Sequence, residues 1–169
     1  MLHGATAEQA DKWPKEDPEG QLFWYSKPNV IIEKGLRFSL PPNTLYEDTH
    51  IQYKLLPAPA KAYTPLHEVQ DEMTPMQLSG EITIDLTKKV PAGNTSKLLV
   101  VSMSRGLPSP MGGNYSDGKV TASVRTFGAY TVMLDTVPPV LIPLDIHPEM
   151  KGRTGFRIKV GDNLSGLDQ

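Results

Sequence analysis

Alternation of hydrophobic and polar residues is the clearest pattern in the chain. Residues 36–40 (LRFSL), 81–86 (EITIDL) and 119–124 (KVTASV) alternate with a period of two. This period puts apolar side chains on one face of a β-strand and polar side chains on the other. Residues 98–101 (LLVV) are apolar at every position, which is typical of a central strand covered on both faces. The pattern therefore predicts half-buried strands and one fully buried strand.

Turn signals and prolines separate these segments. Residues 117–118 (DG) suit the positive φ angles of a tight hairpin, and residues 34–35 (KG) indicate another turn. No segment shows three turns of helical periodicity without one of the 16 prolines. Further strands are predicted at residues 22–25, 29–33, 50–55 and 130–134. The chain is therefore predicted to be all-β, with an immunoglobulin-like β-sandwich over residues 21–135.

Two flanking regions differ from this predicted sandwich. Residues 1–20 are polar and rich in turn signals, which predicts a flexible lead-in. Pro138 and Pro139 indicate an extended joint, followed by strand patterns at 140–144 and 154–160. Because two or three strands cannot bury a core alone, residues 136–169 are predicted to be the beginning of a second, truncated immunoglobulin-like domain.

Composition narrows the classes of function. The net charge is −2 and there is no cysteine. Without excess positive charge, nucleic acid is not a predicted partner. The absence of cysteine excludes disulfides and thiolate metal sites. The longest mainly apolar run, residues 97–103, is far shorter than the ~18 residues of a membrane span, so no membrane span is predicted.

Candidate catalytic and metal-binding residues are few. His67 and Asp71 are four residues apart, which would supply half of a zinc site, but no His-x-His or His-Glu-x-x-His accompanies them. A solvated loop histidine is the favoured interpretation. Residues 162–168 (DNLSGLD) contain oxygen ligands suited to calcium, although a turn explains them better. There is also no Gly-x-Ser-x-Gly motif. We therefore predict no catalytic residue, no bound metal and no cofactor.

An aromatic run near the start of the predicted sandwich is the candidate binding feature. Trp24 and Tyr25 follow Phe23, and their rings would suit stacking against a sugar. Packing in the core or at a sheet edge is the commoner role of such side chains. Exposure of Trp24 distinguishes the two interpretations.

Several stretches together resemble a known family; they are residues 36–48 (LRFSLPPNTLYED), 97–101 (KLLVV), 118–130 (GKVTASVRTFGAY), 134–139 (LDTVPP), 156–160 (FRIKV) and 162–166 (DNLSG). In order and spacing they are similar to the C-terminal β-rich region of lysostaphin-type murein endopeptidases of Gram-negative bacteria. In that family an immunoglobulin-like module follows an N-terminal zinc peptidase domain. The likeness covers roughly residues 20–169.

The resemblance implies a role without chemistry. The family's peptidase domain carries a His-x-Gly-x-Asp motif and a later His-x-His; His67 and Asp71 match two letters of the first, but Val69 stands where the glycine should be. No catalytic residue is carried over. The expected function is a non-catalytic accessory region that positions the peptidase or binds envelope components.

The resemblance also implies partners and a location. The expected partners are peptidoglycan or another envelope component and the parent's peptidase domain. The expected location is periplasmic, outer-membrane-associated or extracellular. Two alternatives stay open: a carbohydrate- or peptidoglycan-binding module that uses Trp24 and Tyr25, and a structural spacer of a surface protein.

Overall fold

The computed structural model describes residues 19–136, 140–144, 155 and 157–161. The strands are β1 (Gln21–Phe23), β2 (Asn29–Glu33), β3 (Leu36–Leu40), β4 (Thr49–Ile51), β5 (Tyr53–Leu56), β6 (Leu66–Val69), β7 (Gly80–Asp85), β8 (Leu98–Ser104), β9 (Leu107–Pro110), β10 (Asn114–Ser116), β11 (Lys119–Val124), β12 (Gly128–Leu134), β13 (Val140–Pro143) and β14 (Ile158–Gly161). A single 3₁₀ turn, Thr95–Lys97, is the only helical element of the described residues.

Two five-stranded antiparallel sheets form the sandwich. Sheet 1 has the order β10-β11-β7-β3-β2, and sheet 2 has the order β5-β6-β12-β8-β9. A two-stranded sheet of β1 and β4 contributes the buried side chains of Phe23 and Ile51 to the same core. The predicted all-β sandwich is therefore confirmed.

Two hairpin turns have the backbone that their sequences predict. Lys34 and Gly35 have φ angles of 41° and 88°, and Asp117 and Gly118 have φ angles of 48° and 79°. Two consecutive positive φ angles are the signature of a type I′ turn, which matches the twist of the strands that it joins. The first turn connects β2 to β3 and the second connects β10 to β11, which fixes the register at both edges of sheet 1.

The core lies between the inward faces of the two sheets. In sheet 1, the alternating positions of β3, β7 and β11 point inward; in sheet 2, β8 and β12 supply Leu98, Val100, Tyr130 and Val132. Phe38 packs edge-on against Phe127 with ring centroids 5.8 Å apart. Burying each side chain of this size stabilises the fold by about 1.5–3 kcal/mol, so the period-two pattern accounts for most of the packing.

Tyr130 lies near the start of β12, the middle strand of sheet 2. Its ring is buried and its hydroxyl donates a hydrogen bond to the carbonyl oxygen of Thr126, four residues earlier. A tyrosine near the start of a late strand that bonds to the backbone just upstream is a hallmark of immunoglobulin-type sandwiches. Burial raises the pKa of Tyr130, so the phenol keeps the proton that it donates.

The outer face of sheet 2 is also apolar and buried. Leu99 and Val101 of β8 and Met133 of β12 form a second cluster there with Ala62, which lies in the proline-rich segment before β6. The predicted burial of residues 98–101 on both faces is therefore confirmed.

Hydrogen bonds join that proline-rich segment to β12. The Thr64 hydroxyl accepts the backbone N–H of Val132 at 3.0 Å and lies 2.9 Å from the Thr131 hydroxyl. The backbone N–H of Tyr63 donates to the Val132 carbonyl. The segment therefore continues the sheet alongside β12 beyond the end of β6.

The strands that follow residue 139 form a separate antiparallel pair. In β13 and β14, Leu141 pairs with Val160 and Pro143 pairs with Ile158. Leu141 and Ile158 are both exposed. The two predicted strands are present, and the proposal that they begin a second sandwich stays a prediction. Residues 1–18, the Pro138–Pro139 joint and the calcium candidate at 162–168 lie outside the described residues.

Candidate functional site

Trp24 and Tyr25 lie in the loop that joins β1 to β2, at one end of the sandwich. The strand predicted over 22–25 ends at Phe23, which is fully buried, and the next two rings turn outward. Trp24 is 43% exposed and Tyr25 is 45% exposed. Both aromatic rings are therefore accessible to a ligand and are not core side chains.

Side-chain hydrogen bonds hold this loop in one conformation. The Asn29 amide accepts the backbone N–H of Trp24 and donates to the carbonyls of Trp24 and Lys27, with all three distances between 2.8 and 2.9 Å. The backbone N–H of Tyr25 donates to the Asp48 carboxylate at 2.8 Å. The rings therefore project from an ordered loop, which lowers the entropy cost of binding.

The Lys27 ammonium lies over the ring of Trp24, 4.6 Å from its centroid. An exposed cation–π contact of this kind contributes about 0.5–1 kcal/mol. It orients the indole and occupies one of its faces. The side chain as a whole stays 43% exposed.

A third exposed ring lies on a loop that is hydrogen-bonded to the loop of Trp24 and Tyr25. The backbone N–H of Asn43 donates to the Tyr25 carbonyl at 2.7 Å, which ties the first loop to the loop between β3 and β4. That second loop carries Tyr46, which is 62% exposed. We call Trp24, Tyr25 and Tyr46 the aromatic loop surface.

A third loop extends the same end of the sandwich. The backbone N–H of Gln77, in the loop between β6 and β7, donates to the Thr44 carbonyl at 2.8 Å. A shallow cavity of about 420 Å³ lies between Tyr46 and Met73 of this loop. Three loops therefore meet at one surface, although they are far apart along the chain.

His67 has a structural role that the sequence pattern missed. It lies in β6 and is buried, so the predicted solvated loop position is wrong. Its Nδ1 lies 2.9 Å from the Tyr53 hydroxyl. Burial lowers the pKa of His67, and the Asp85 carboxylate opposes that shift in part. Burial and Glu33 raise the pKa of Tyr53 to about 12, so both groups are neutral at pH 7 and share a hydrogen bond.

Asp71 is also engaged within its own loop. Its carboxylate accepts the backbone N–H of Met73 at 2.8 Å, which is an ordinary turn contact. The structure therefore gives His67 and Asp71 separate roles. Among residues 19–136 and the described parts that follow, no group of three or more His, Asp or Glu residues could hold a metal ion.

The three exposed aromatic rings and nearby backbone polar groups lie on hydrogen-bonded loops at one end of the sandwich. Such a combination of apolar and polar groups suits a binding surface. Sequence reasoning found Trp24 and Tyr25 but missed Tyr46. Residues 42–48 (PNTLYED) form a polar turn, and two tertiary hydrogen bonds, from Asn43 to Tyr25 and from Tyr25 to Asp48, bring that turn to the first loop. The hydrogen bonds that Asn29 and Asp48 make to the first loop likewise cannot be predicted from the hydrophobic pattern.

These features define a β-sandwich domain with an exposed aromatic surface at its loop end. A family model for the Zu5-like domain matches residues 20–135, a range that contains both five-stranded sheets. The chain therefore belongs to the Zu5-like domain family. No curated protein matches the chain. The described residues also contain no helix long and apolar enough to cross a membrane.

Proposed function

We propose that the chain is a non-catalytic binding region of a cell-envelope murein endopeptidase, and that its aromatic loop surface binds the glycan of peptidoglycan. The observation that carries the binding role is the exposure of Trp24 and Tyr25 on a loop fixed by Asn29 and Asp48. The endopeptidase context rests on the sequence resemblance alone. By binding the wall, the region would hold the parent's peptidase domain near its substrate.

The chemistry of the surface favours a sugar over other envelope ligands. The apolar faces of sugar rings stack on aromatic side chains, while hydroxyls need polar partners nearby. Asp48 and Lys27 supply such partners around the rings. The net charge of −2 provides no attraction for an acidic polymer or an anionic membrane.

A sedimentation assay with insoluble peptidoglycan tests the binding role. The wild-type chain should pellet with the wall, and the double variant Trp24→Ala/Tyr25→Ala should bind at least tenfold more weakly, since about 1.4 kcal/mol of stacking corresponds to that factor. Tyr115→Ala is the matched control, because Tyr115 is an exposed aromatic residue on β10. No binding by the wild type would leave the spacer interpretation instead.

A second assay tests the non-catalytic role. The chain is incubated with dye-labelled peptidoglycan in the presence of zinc, and the release of soluble dye is measured. We expect release equal to that of a heat-denatured control. Release above that level would refute the accessory role.

A further inference from the structure

The outer face of sheet 1 contains a groove that is separate from the aromatic loop surface. Its volume is about 790 Å³, and residues of all five strands line it. The lining that matters here consists of Asn29, Arg37, Ser39, Glu81, Thr121 and Ser123. No sequence motif singled out this group, because its members are spread over four strands, β2, β3, β7 and β11, that are separated along the chain.

Strand register places the hydroxyl side chains of the groove next to its two charged residues. Ser39 of β3 lies opposite Glu81 of β7, and Glu81 lies opposite Ser123 of β11. In the next row, Arg37 lies opposite Thr83, which lies opposite Thr121. Short hydroxyl side chains thus flank Glu81 on both sides, and Arg37 lies in the neighbouring row beside Thr83.

The two charged groups of the groove are available to a ligand. Among the described residues neither Arg37 nor Glu81 has an ion-pair partner, whereas Lys119 and Asp85 on the same face pair at 3.2 Å. One guanidinium and one carboxylate cancel in charge. The groove therefore offers strong hydrogen-bond donors and acceptors without attracting a polyanion or a polycation.

Asn29 connects this groove to the aromatic loop surface. It lines the groove, and its side-chain amide bonds to the backbone N–H and carbonyl of Trp24. Pro28 and Asn29 line one end of the groove, which therefore reaches the loop that carries Trp24 and crosses the strands of sheet 1. A ligand stacked on Trp24 can continue along this path only if it is a linear chain.

We propose that this groove binds a linear, uncharged glycan, with Arg37 and Glu81 forming hydrogen bonds to ring hydroxyls while the end of the chain stacks on Trp24. A glycan fits because it carries many hydroxyls and no net charge along an extended backbone. The inference rests on the proposed function for the stacking end and adds the longer subsite.

Calorimetric titration of the full chain with oligomers of β-1,4-linked N-acetylglucosamine tests this. The hexamer should bind the wild type at least tenfold more tightly than the dimer, because only the hexamer reaches the groove. Arg37→Gln/Glu81→Gln and Ser123→Arg should each weaken hexamer binding at least tenfold and leave dimer binding unchanged. Lys119→Gln, on the same face outside the lining, is the control. Thermal melting checks that each variant folds.

The outcomes separate the two proposals. If Trp24→Ala abolishes hexamer binding but the groove variants do not change it, the groove inference is wrong and the aromatic site stands. If the wild type binds insoluble peptidoglycan and the free stem peptide but not the hexamer, the ligand is a peptide and the groove inference is also wrong. If the wild type binds neither peptidoglycan nor the hexamer, both proposals fail.

Discussion

The outer faces of the two sheets differ in what the chain has placed upon them. Sheet 1 exposes Ser, Thr, Arg and Glu side chains around an open groove, together with Val30 and Ile32 of its edge strand β2. Sheet 2 buries Leu99, Val101 and Met133 against Ala62 of the proline-rich segment. The same fold therefore leaves one outer face exposed to solvent and uses the other for stability.

Two threonine–threonine hydrogen bonds of equal length, one on each sheet, differ in their access to water. Thr64 and Thr131 lie 2.9 Å apart on the sheet 2 side, in a buried position. Thr83 and Thr121 lie 2.9 Å apart on sheet 1 and are partly exposed. Because water can replace a hydrogen bond only where it has access, the two contacts have different energetic consequences.

Introducing a charge should give the largest difference in unfolding free energy between the two outer faces. Val101→Lys should lower the free energy of unfolding by at least about 3 kcal/mol, since it places an unpaired ammonium in an apolar cluster. Ser123→Lys is the matched change on the open face and should alter it by no more than about 0.5 kcal/mol. Chemical denaturation measures both. Similar losses for the two variants would mean that the outer face of sheet 2 is not closed in solution.

The difference between the faces was predictable from the local pattern. Residues 81–86 alternate, and β7 has one face in the core and one in solvent. Residues 98–101 are apolar throughout, and both faces of that strand are buried. Side-chain direction alternates strictly along a strand, so a local sequence window contains this information.

Contacts across the sequence were not predictable in the same way. Thr64 meets Thr131 across 67 residues, and His67 meets Tyr53 between β6 and β5. His67 looked like a loop residue because prolines surround it, yet four residues of strand fit between Pro65 and the following turn. The aromatic loop surface likewise depends on Asn29, Asn43 and Asp48, whose partners are set by tertiary structure.

Removing a buried hydroxyl group should give the next largest loss of unfolding free energy. Thr64→Val removes the acceptor of the Val132 N–H and a partner of Thr131, and should cost about 1–3 kcal/mol of unfolding free energy. Thr121→Val removes the equivalent contact on sheet 1 and should cost about 0.5 kcal/mol or less, because water reaches Thr83. Urea unfolding compares the two. Equal costs would show that the hydroxyl pair near sheet 2 is hydrated.

Protonation of the buried His67 should lower the free energy of unfolding by a smaller amount, which depends on pH. Burial lowers the pKa of His67 in the folded chain, whereas its unfolded value is about 6.5. A histidine of this kind contributes stability that is fully present above pH ~6.5 and is lost as the pH falls toward the folded pKa. We therefore expect the free energy of unfolding to fall as the pH decreases below about 6.5, by at most about 1.4 kcal/mol per pH unit for one proton.

Two variants assign this slope to His67. His67→Gln lacks the titrating group, so its unfolding free energy should vary less than that of the wild type over the same pH range. Asp85→Asn removes the charge that favours the imidazolium and should lower the pKa of His67 further, as measured by NMR titration of its ring protons. Lys119→Gln controls for loss of the ion pair that Asp85 forms. If His67 titrates at or above its unfolded pKa, the imidazole is solvated and the sheets do not enclose it as the structure places it.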